Sequence, residues 1–406
     1  MQFTTGGICA AKGFSAGGLH CGLKKAKTDL ALIVSDIPAN AAAIYTQNAV
    51  KAAPLHVSKV HLADGSAQAV IINSGNANAC APDGEENALL MCEYVGEGLN
   101  IPASQVAVSS TGVIGVSMTP KMGLVKEGIA KLCKNLGTGE AASDMAAQGI
   151  MTTDLTKKEL AVAFTIGGKT VHMGAIAKGS GMIHPNMGTM LCYITTDLAI
   201  SKPLLAKAMQ HAGAHSFNRI SVDGDTSTND FCLIMANGMA GNAEITTEGE
   251  DYAIFLQALT ALCVLQARAI AADGEGATHL ITCTVTNAPC EESATTIARS
   301  VIASSLVKSA MFGKDANWGR ILCAAGYSGA KFDTGLVSIS FKSEAGEVVV
   351  CKNGRGLAFD EELALKVLTP HEVVINLDLA QGNATSTCWG CDLTYDYVKI
   401  NGDYRS

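Results

Sequence analysis

The sequence predicts an α+β protein built from layers of helix and sheet, and three observations carry that reading. Short apolar runs of strand length cluster in pairs, long helical stretches fall between the clusters, and the order is not a strict βαβ alternation. The chain has 406 residues, more than the ~250–300 at which a single core stops growing, so two or more subdomains are expected. Hydrophobic residues make up 48%, and 42 Gly accompany only 9 Pro. That balance fits a globular chain with tight turns and close backbone approaches.

Taken in order, the apolar runs 30–34 and 41–45, around Asp36, Pro38 and Asn40, read as paired strands. Residues 53–62 fit a short helix, and 69–73 a strand that delivers the Asn/Gly loop 74–79. Asp83, Gly84, Glu85 and Glu86 start a helix reaching about Leu99, with acidic residues in the first turn where the macrodipole favours them. Strand 106–110 empties into Thr111-Gly112. Pro120 opens a helix to Lys134, and a shorter helix after Ser143 leads to Met151-Thr152-Thr153-Asp154. Runs 160–166 and 170–176 flank Gly167-Gly168-Lys169 as a hairpin. A strand to Thr196 precedes a helix from Ser201, read as an N-cap with Pro203 behind it. A polar loop 223–230, a strand 231–235 and a long helix from Glu250 follow, then the Gly-rich break 271–277 and strand 280–286. Residues 293–311 read as one helix, and 337–341, 348–351, 373–379 and 392–400 as strands. Each half repeats a strand, an Asn/Gly loop, an acidic-started helix and a second strand, a weak sign of internal duplication.

Several function classes are disfavoured by composition and spacing. A net charge of −8 and an acidic pI near 5.6 argue against a nucleic-acid surface. The densest basic cluster, Lys24-Lys25-Ala26-Lys27, reads as a solvated turn or strand end. Most of the 14 cysteines sit singly in apolar segments, as reduced core cysteines do in a cytoplasmic protein. Cys388-Trp389-Gly390-Cys391 is a lone CxxC with no second pair or His at ligand spacing, and His211 and His215 have no Glu between them as in HExxH, so no metal site is expected. No GxGxxG follows a strand, no GxxxxGK[ST] occurs, and Gly179-Ser180-Gly181 lacks the spacing of a nucleophile elbow. The start of the chain has no signal-peptide pattern, and the apolar stretch 252–272 carries Gln257, Gln266 and Arg268, so it reads as a buried helix and no membrane partner is expected.

One stretch remains: residues 178–197, KGSGMIHPNMGTMLCYITTD. A flexible loop ending in Gly188-Thr189 becomes an apolar strand, which places one hydroxyl at the strand's mouth. A turn feeding a core strand accounts for this pattern, with Thr189 simply a good strand former. A second reading makes Thr189 a nucleophile, first against its own peptide bond. Its freed α-amino group, with a pKa of ~7.7–8.0, would then be the base, so no histidine is required. Gly188 is the least hindered residue before such a bond. Thr111 and Gly112 offer a hydroxyl and a backbone N–H for one oxyanion, and losing one such donor costs ~3–4 kcal/mol.

Eight motifs in order then carry a resemblance. They are INSGNANAC (72–80), SSTGVIG (109–115), MTTD (151–154), AKGSGMIHPNMGTML (177–191), DGEGATHL (273–280), DANWGRIL (315–322), ATSTCWGCDLT (384–394) and the terminal YVKINGDYRS. Over essentially its whole length the sequence resembles the ornithine acetyltransferase (glutamate N-acetyltransferase) family of arginine biosynthesis. The resemblance implies a layered α/β/β/α sandwich of the DmpA/ArgJ self-processing type. It implies a precursor cut between Gly188 and Thr189 into an α chain, 1–188, carrying the oxyanion hole, and a β chain, 189–406, with Thr189 at its start. Thr189 would take the acetyl group from N2-acetyl-L-ornithine and pass it to L-glutamate. Thr111 and Gly112 carry over as the oxyanion hole, and Thr152, Lys178, Thr189, Glu275, Asn401 and Ser406 as substrate contacts. The register between Thr152 and Thr153 stays open. No cofactor is implied, acetyl-CoA is left open as a second donor, and a cytoplasmic heterotetramer of two α and two β chains is expected. Gly188 departs from the Ala expected before the nucleophile in most members. Two other readings stand beside this one: a self-processing amidase or aminopeptidase, and a non-catalytic metabolite-binding protein.

Overall fold

The computed structural model describes residues 1–184 and 190–403, and the chain forms two compact units. Unit 1 takes Met1–Gly179, Pro185–Asn218 and Thr226–Gln266; unit 2 takes Ser180–His184, Arg219–Asp225 and Ala267–Ser406. The units therefore cut across the expected division at 188/189. Residues after it fold with unit 1, and a few before it fold with unit 2.

Unit 1 is organised on a nine-stranded sheet among the described residues. Its order is Gln2–Thr4, Lys158–Ile166, Lys169–Lys178, Leu191–Thr196, Phe231–Ala236, Leu30–Tyr45, Ser66–Asn73, Val106–Ser110, with Phe14–Leu19 also paired to Leu30–Tyr45. Period-two alternation sorts its side chains into layers. Leu30, Leu32, Ala69 and Ile71 pack with Met91, Val95, Val125 and Ile129 of helices Gly84–Leu99 and Met122–Lys134. Their neighbours Ala31, Ile33, Val70 and Ile72 turn the other way, to Leu191, Tyr193, Leu233 and Met235 of the far strands, with Ala146 and Ile150 of helix Gly139–Ile150. On the outer side of those far strands Cys192 and Cys232 are register partners, and burial together with Cys192 raises the thiol pKa of Cys263 in helix Glu250–Ala272. The result is helix, sheet, sheet, helix, the α+β layering that the sequence predicts.

Among the described residues unit 2 has a seven-stranded sheet in the order Arg355–Gly356, Gly346–Lys352, Ser338–Ser343, Glu372–Asp378, Leu280–Ala288, Ala384–Cys391, Ile220–Ser221. One face carries Ile281, Cys283, Val285, Ile339, Phe341, Val373 and Ile375 against helices Glu291–Ala303, Trp318–Gly326 and Glu361–Val367. The two sheets differ in strand number and order, so the repeated grammar of the sequence is not mirrored in their topology.

Several expectations are corrected. The runs 30–34 and 41–45 are not paired strands but one strand, Leu30–Tyr45. Its register breaks between Val34 and Ala39, around Pro38, which has no N–H for a ladder. The short helix starts before Ser143, at Gly139. Ser201 occupies the N-cap of helix Lys202–Ala214, but its side chain makes no capping bond. The helix read over 293–311 is two, Glu291–Ala303 and Ser305–Phe312, because Ser304 leaves the helical region (φ −70°, ψ 114°) and its hydroxyl accepts from Val307 N–H. Two further helices, Trp318–Gly326 and Glu361–Val367, lie where the sequence predicts no element. Residues 392–400 are not a strand: Ala384–Cys391 is, and Thr394 caps a helix at Tyr395–Gly402 through Tyr397 N–H. The stretch 252–272 lies in helix Glu250–Ala272, long and apolar enough by length and composition to span a bilayer. One side is buried by Phe255, Leu259, Leu262 and Ile270, while Ala253 and Gln257 of the other side are exposed.

Candidate active site

In unit 1 the site grows from the ends of two parallel strands. Ser66–Asn73 and Val106–Ser110 run in register, Asn73 beside Ser110, so the loops that follow leave from the same end of the sheet. Asn73 joins them. Its Oδ1 accepts from the N–H of Gly75 (3.2 Å) and Asn76 (3.0 Å), its Nδ2 donates to Ser110 Oγ (2.6 Å), and its carbonyl accepts from Thr111 N–H at 2.9 Å. Asn229, 6% exposed, donates through Nδ2 to the carbonyls of Ala77 (2.6 Å) and Ser110 (2.8 Å). These amides fix the turn that carries the expected oxyanion pair. Gly112 has φ 135°, where an added Cβ would lie 2.8 Å from Asn76 N, so both conformation and space demand glycine. The half-buried Thr111 hydroxyl takes no partner among the described residues.

The second part of unit 1 is organised by Asp154, 4% exposed. Its Oδ1 accepts from Lys158 Nζ and from Gly179 N–H, both at 2.7 Å, and its Oδ2 from Thr152 N–H at 2.9 Å. Burial opposes ionisation of this carboxyl, but the ammonium groups of Lys178 and Lys158 and the Thr152 N–H hold it well below the usual carboxylate range. Lys178 is buried at the last position of strand Lys169–Lys178, in register with Leu191, which opens the next strand. Thr152 and Lys178 are thus brought together through Asp154.

Lys24 corrects the reading of its cluster as a solvated turn. Lys25 and Lys27 are exposed, but Lys24 is half-buried, and its Nζ donates to the Thr28 carbonyl (2.9 Å), Ser74 Oγ (2.6 Å) and the Met151 carbonyl (2.6 Å). Burial pushes its pKa down to about 8, with Lys178 adding to the effect and Asp29 opposing it. Ser74 Oγ in turn donates to the Gly149 carbonyl at 2.6 Å. Loop 74–79, behind Gly112, is therefore tied to the segment that carries Thr152.

In unit 2 the Gly-rich break after helix Glu250–Ala272 holds Glu275, 6% exposed. Its N–H donates to the Ser180 carbonyl at 3.0 Å, and Ser180 Oγ donates to the Asp273 carbonyl at 2.7 Å. The carboxylate accepts at 2.7 Å from Asn401 Nδ2, which lies 126 residues away on helix Tyr395–Gly402. Nearby, Asp223 accepts from the N–H groups of Met182 (2.6 Å) and Ile183 (2.8 Å) and from the Tyr397 hydroxyl at 3.3 Å. His184 Nδ1 is 3.0 Å from Ser221 Oγ, and burial, then the Arg299 guanidinium, lower its pKa.

Of the expected residues, Gly188, Thr189 and Ser406 lie outside the described residues. Within unit 1 the structure brings together Thr111 with Gly112, and Thr152 with Lys178; within unit 2 it joins Glu275 to Asn401. Sequence reasoning missed Lys24, Asn73, Asp154, Asp223 and Asn229. The available signal was position, since each is polar and borders a strand end or a Gly-rich loop. Cys388 and Cys391 lie three apart on one strand and so face opposite sides of the sheet. Cys388 is the register partner of Cys283, and Lys308 Nζ donates to the Cys391 carbonyl. The rings of His211 and His215 stack at 4.0 Å, and no group able to hold a metal occurs among the described residues.

The chain is 49% identical over 407 residues to the arginine biosynthesis bifunctional protein ArgJ of Caldanaerobacter subterraneus subsp. tengcongensis, covering all of both chains. It is 49% identical over 395 residues to the arginine biosynthesis bifunctional protein ArgJ 1 of Clostridium acetobutylicum, covering 97% of this chain and 96% of that one. A crystal structure of arginine biosynthesis bifunctional protein ArgJ from Bacillus halodurans aligns with TM-score 0.50 and 45% identity, covering 53% of this chain and 99% of that chain. The sequence profile of the ArgJ family matches residues 15–406, and the chain belongs to the ArgJ family.

Proposed function

We propose that this protein is an ornithine acetyltransferase of arginine biosynthesis that makes its own nucleophile by cutting the chain between Gly188 and Thr189. The observation that carries the reading is family membership over the whole chain, with the Thr111-Gly112 turn held at the mouth of two parallel strands. In the cut, the Thr189 hydroxyl attacks the Gly188 carbonyl, the C–N bond breaks to leave an ester and free the Thr189 α-amino group, and water hydrolyses that ester to release the Gly188 carboxylate and restore the Thr189 hydroxyl. The products are an α chain of 188 residues and a β chain of 218. The solved Bacillus halodurans chain supports this division: it is matched nearly whole yet takes only 53% of this chain.

In turnover the free amine accepts the hydroxyl proton as Thr189 attacks the acetyl carbonyl of N2-acetyl-L-ornithine. The oxyanion is held by Thr111 and Gly112 N–H. The acetyl C–N bond breaks, the proton passes to the leaving amine, and ornithine departs from an acetyl-Thr189 ester. The α-amine of L-glutamate attacks that ester, giving N-acetylglutamate and free Thr189. Lys178 and Thr152 are assigned to the substrate's carboxylate end, and Glu275, Asn401 and Ser406 to its far end, with Glu275 taking ornithine's ammonium group. No cofactor takes part. Acetyl-CoA is assigned as a second acetyl donor to glutamate, supported by the word bifunctional in the relatives' names. The assembly is assigned as two α and two β chains. A cytoplasmic location is supported by the 14 cysteines, none of them in a disulfide.

Gel electrophoresis of purified protein tests the cut, with two bands expected for the native chain and one for Thr189→Ala. A single full-length band with undiminished activity overturns the proposal. Acetylornithine plus glutamate is expected to yield acetylglutamate faster than free acetate, and the reverse would favour an amidase. Initial rates with acetyl-CoA and glutamate test the second donor.

A further inference from the structure

Residues 180–184, which follow strand Lys169–Lys178, pack into unit 2 and not with the strand they leave. Two sets of hydrogen bonds hold them there. Ser180 is fixed through its carbonyl, which accepts from Glu275 N–H, and its hydroxyl, which donates to the Asp273 carbonyl. Met182, in the left-handed region at φ 57°, and Ile183 both donate their N–H groups to the carboxylate of Asp223. Val222 N–H closes the far side by donating to the Ile183 carbonyl at 2.6 Å.

Gly181 lies between these anchors, directly under the Glu275 side chain. A Cβ on Gly181 would lie 2.4 Å from Glu275 Cδ and 2.4 and 2.5 Å from its two carboxylate oxygens. The main chain cannot yield, because both neighbours are pinned, so the carboxylate would have to move. Its buried position and its bond to Asn401 would go with it. Among the described residues this carboxylate has no ion pair, only the Asn401 amide. A buried carboxylate in that state is stabilised by an incoming cation.

We propose that Gly181 is a specificity-determining residue: by carrying no side chain, it lets Glu275 sit where it selects a donor with a terminal ammonium group. Residues 180–184 of the upstream chain thus remain after cleavage as the floor of the cation subsite. This rests on the acetylornithine reading given above.

The test compares kcat/KM for N2-acetyl-L-ornithine with that for N2-acetyl-L-norvaline, which has the same shape without the ammonium group. Processed native protein is expected to prefer acetylornithine; if it transfers acetyl from neither, the functional reading fails before Gly181 is questioned. Gly181→Ala is expected to lose about 10- to 100-fold on acetylornithine, the worth of a charged hydrogen bond. Its acetylnorvaline rate should stay within about twofold. Gly181→Ala combined with Glu275→Asp, which shortens the acid by one methylene, is expected to regain part of the preference. Equal losses on both donors, no loss on either, or a single variant that misfolds and is not recovered by Glu275→Asp would each overturn the proposal.

Discussion

Asp154 does several jobs with one side chain. It neutralises Lys158, with which it forms a pair only 1% and 0% exposed at the side chains, faces Lys178, and receives the N–H groups of Thr152 and Gly179. Asp154→Asn removes that carboxylate from a buried set of cations, a class of change that costs ~3–5 kcal/mol. Urea denaturation is expected to show a loss of that order, and a loss below about 1 kcal/mol would contradict the role given to it. The same group sets an acid limit. Its folded pKa is depressed, so its stabilisation is whole above the unfolded value of ~4 and is lost as pH falls through the folded value. His184 acts earlier. Burial and Arg299 disfavour its protonation, so its contribution is whole above ~6.5 and declines below as the unfolded state takes up the proton. Denaturation midpoints between about pH 7 and pH 5 should therefore fall in the native protein and flatten in His184→Gln. A slope unchanged by that substitution would assign it to other groups.

Among the secondary-structure elements, hydrophobic period was a good guide and chain breaks were a poor one. Strand Val106–Ser110 and helix Gly84–Leu99 match their expected spans, because alternation and an acidic first turn are local signals. The stretch 291–312 is apolar at helical spacing throughout. Its division at Ser304 depends on a cap whose need is set by how the two helices pack. The two serines at N-cap positions make the contrast measurable. Ser304→Ala loses the bond from Val307 N–H and should cost ~1 kcal/mol in thermal or urea unfolding. Ser201→Ala, where no such bond exists, should stay within about 0.5 kcal/mol. Equal effects at the two sites would mean that the hydroxyl bond is not what stabilises the cap. The terminal segment misled for a related reason: Asp392–Ile400 alternates like a strand, yet Thr394 caps a helix, and that helix carries Asn401 to Glu275.

For the whole molecule, the expected chain division and the compact units are different partitions of the same 406 residues. A cut after Gly188 would leave residues 180–184 of the upstream chain in unit 2, with their hydrogen bonds to Asp223, Val222, Asp273 and Glu275 made entirely to the downstream chain. The two products should therefore stay associated without a covalent link and co-elute under native conditions. Light scattering is expected to give twice the 41.8 kDa of one chain for two α and two β chains. Separate elution of the two fragments would refute the association, and a mass of one chain would refute the pairing.

The sequence alone determined the family, the order of eight motifs and the α+β class, because residue identity and hydrophobic period belong to single positions and short windows. Thr111, Gly112, Thr152, Lys178, Glu275 and Asn401 were all legible in it as candidates. Only the tertiary structure decided which of them meet. Asp154 ties Thr152 to the end of the strand that carries Lys178, Asn73 and Asn229 fix the Gly112 turn, and Lys24 leaves its exposed neighbours to bind Ser74 and Met151. Those pairings depend on which strand ends share an edge and which polar groups burial leaves needing a partner. That is a property of the folded chain as a whole, and no window of sequence contains it.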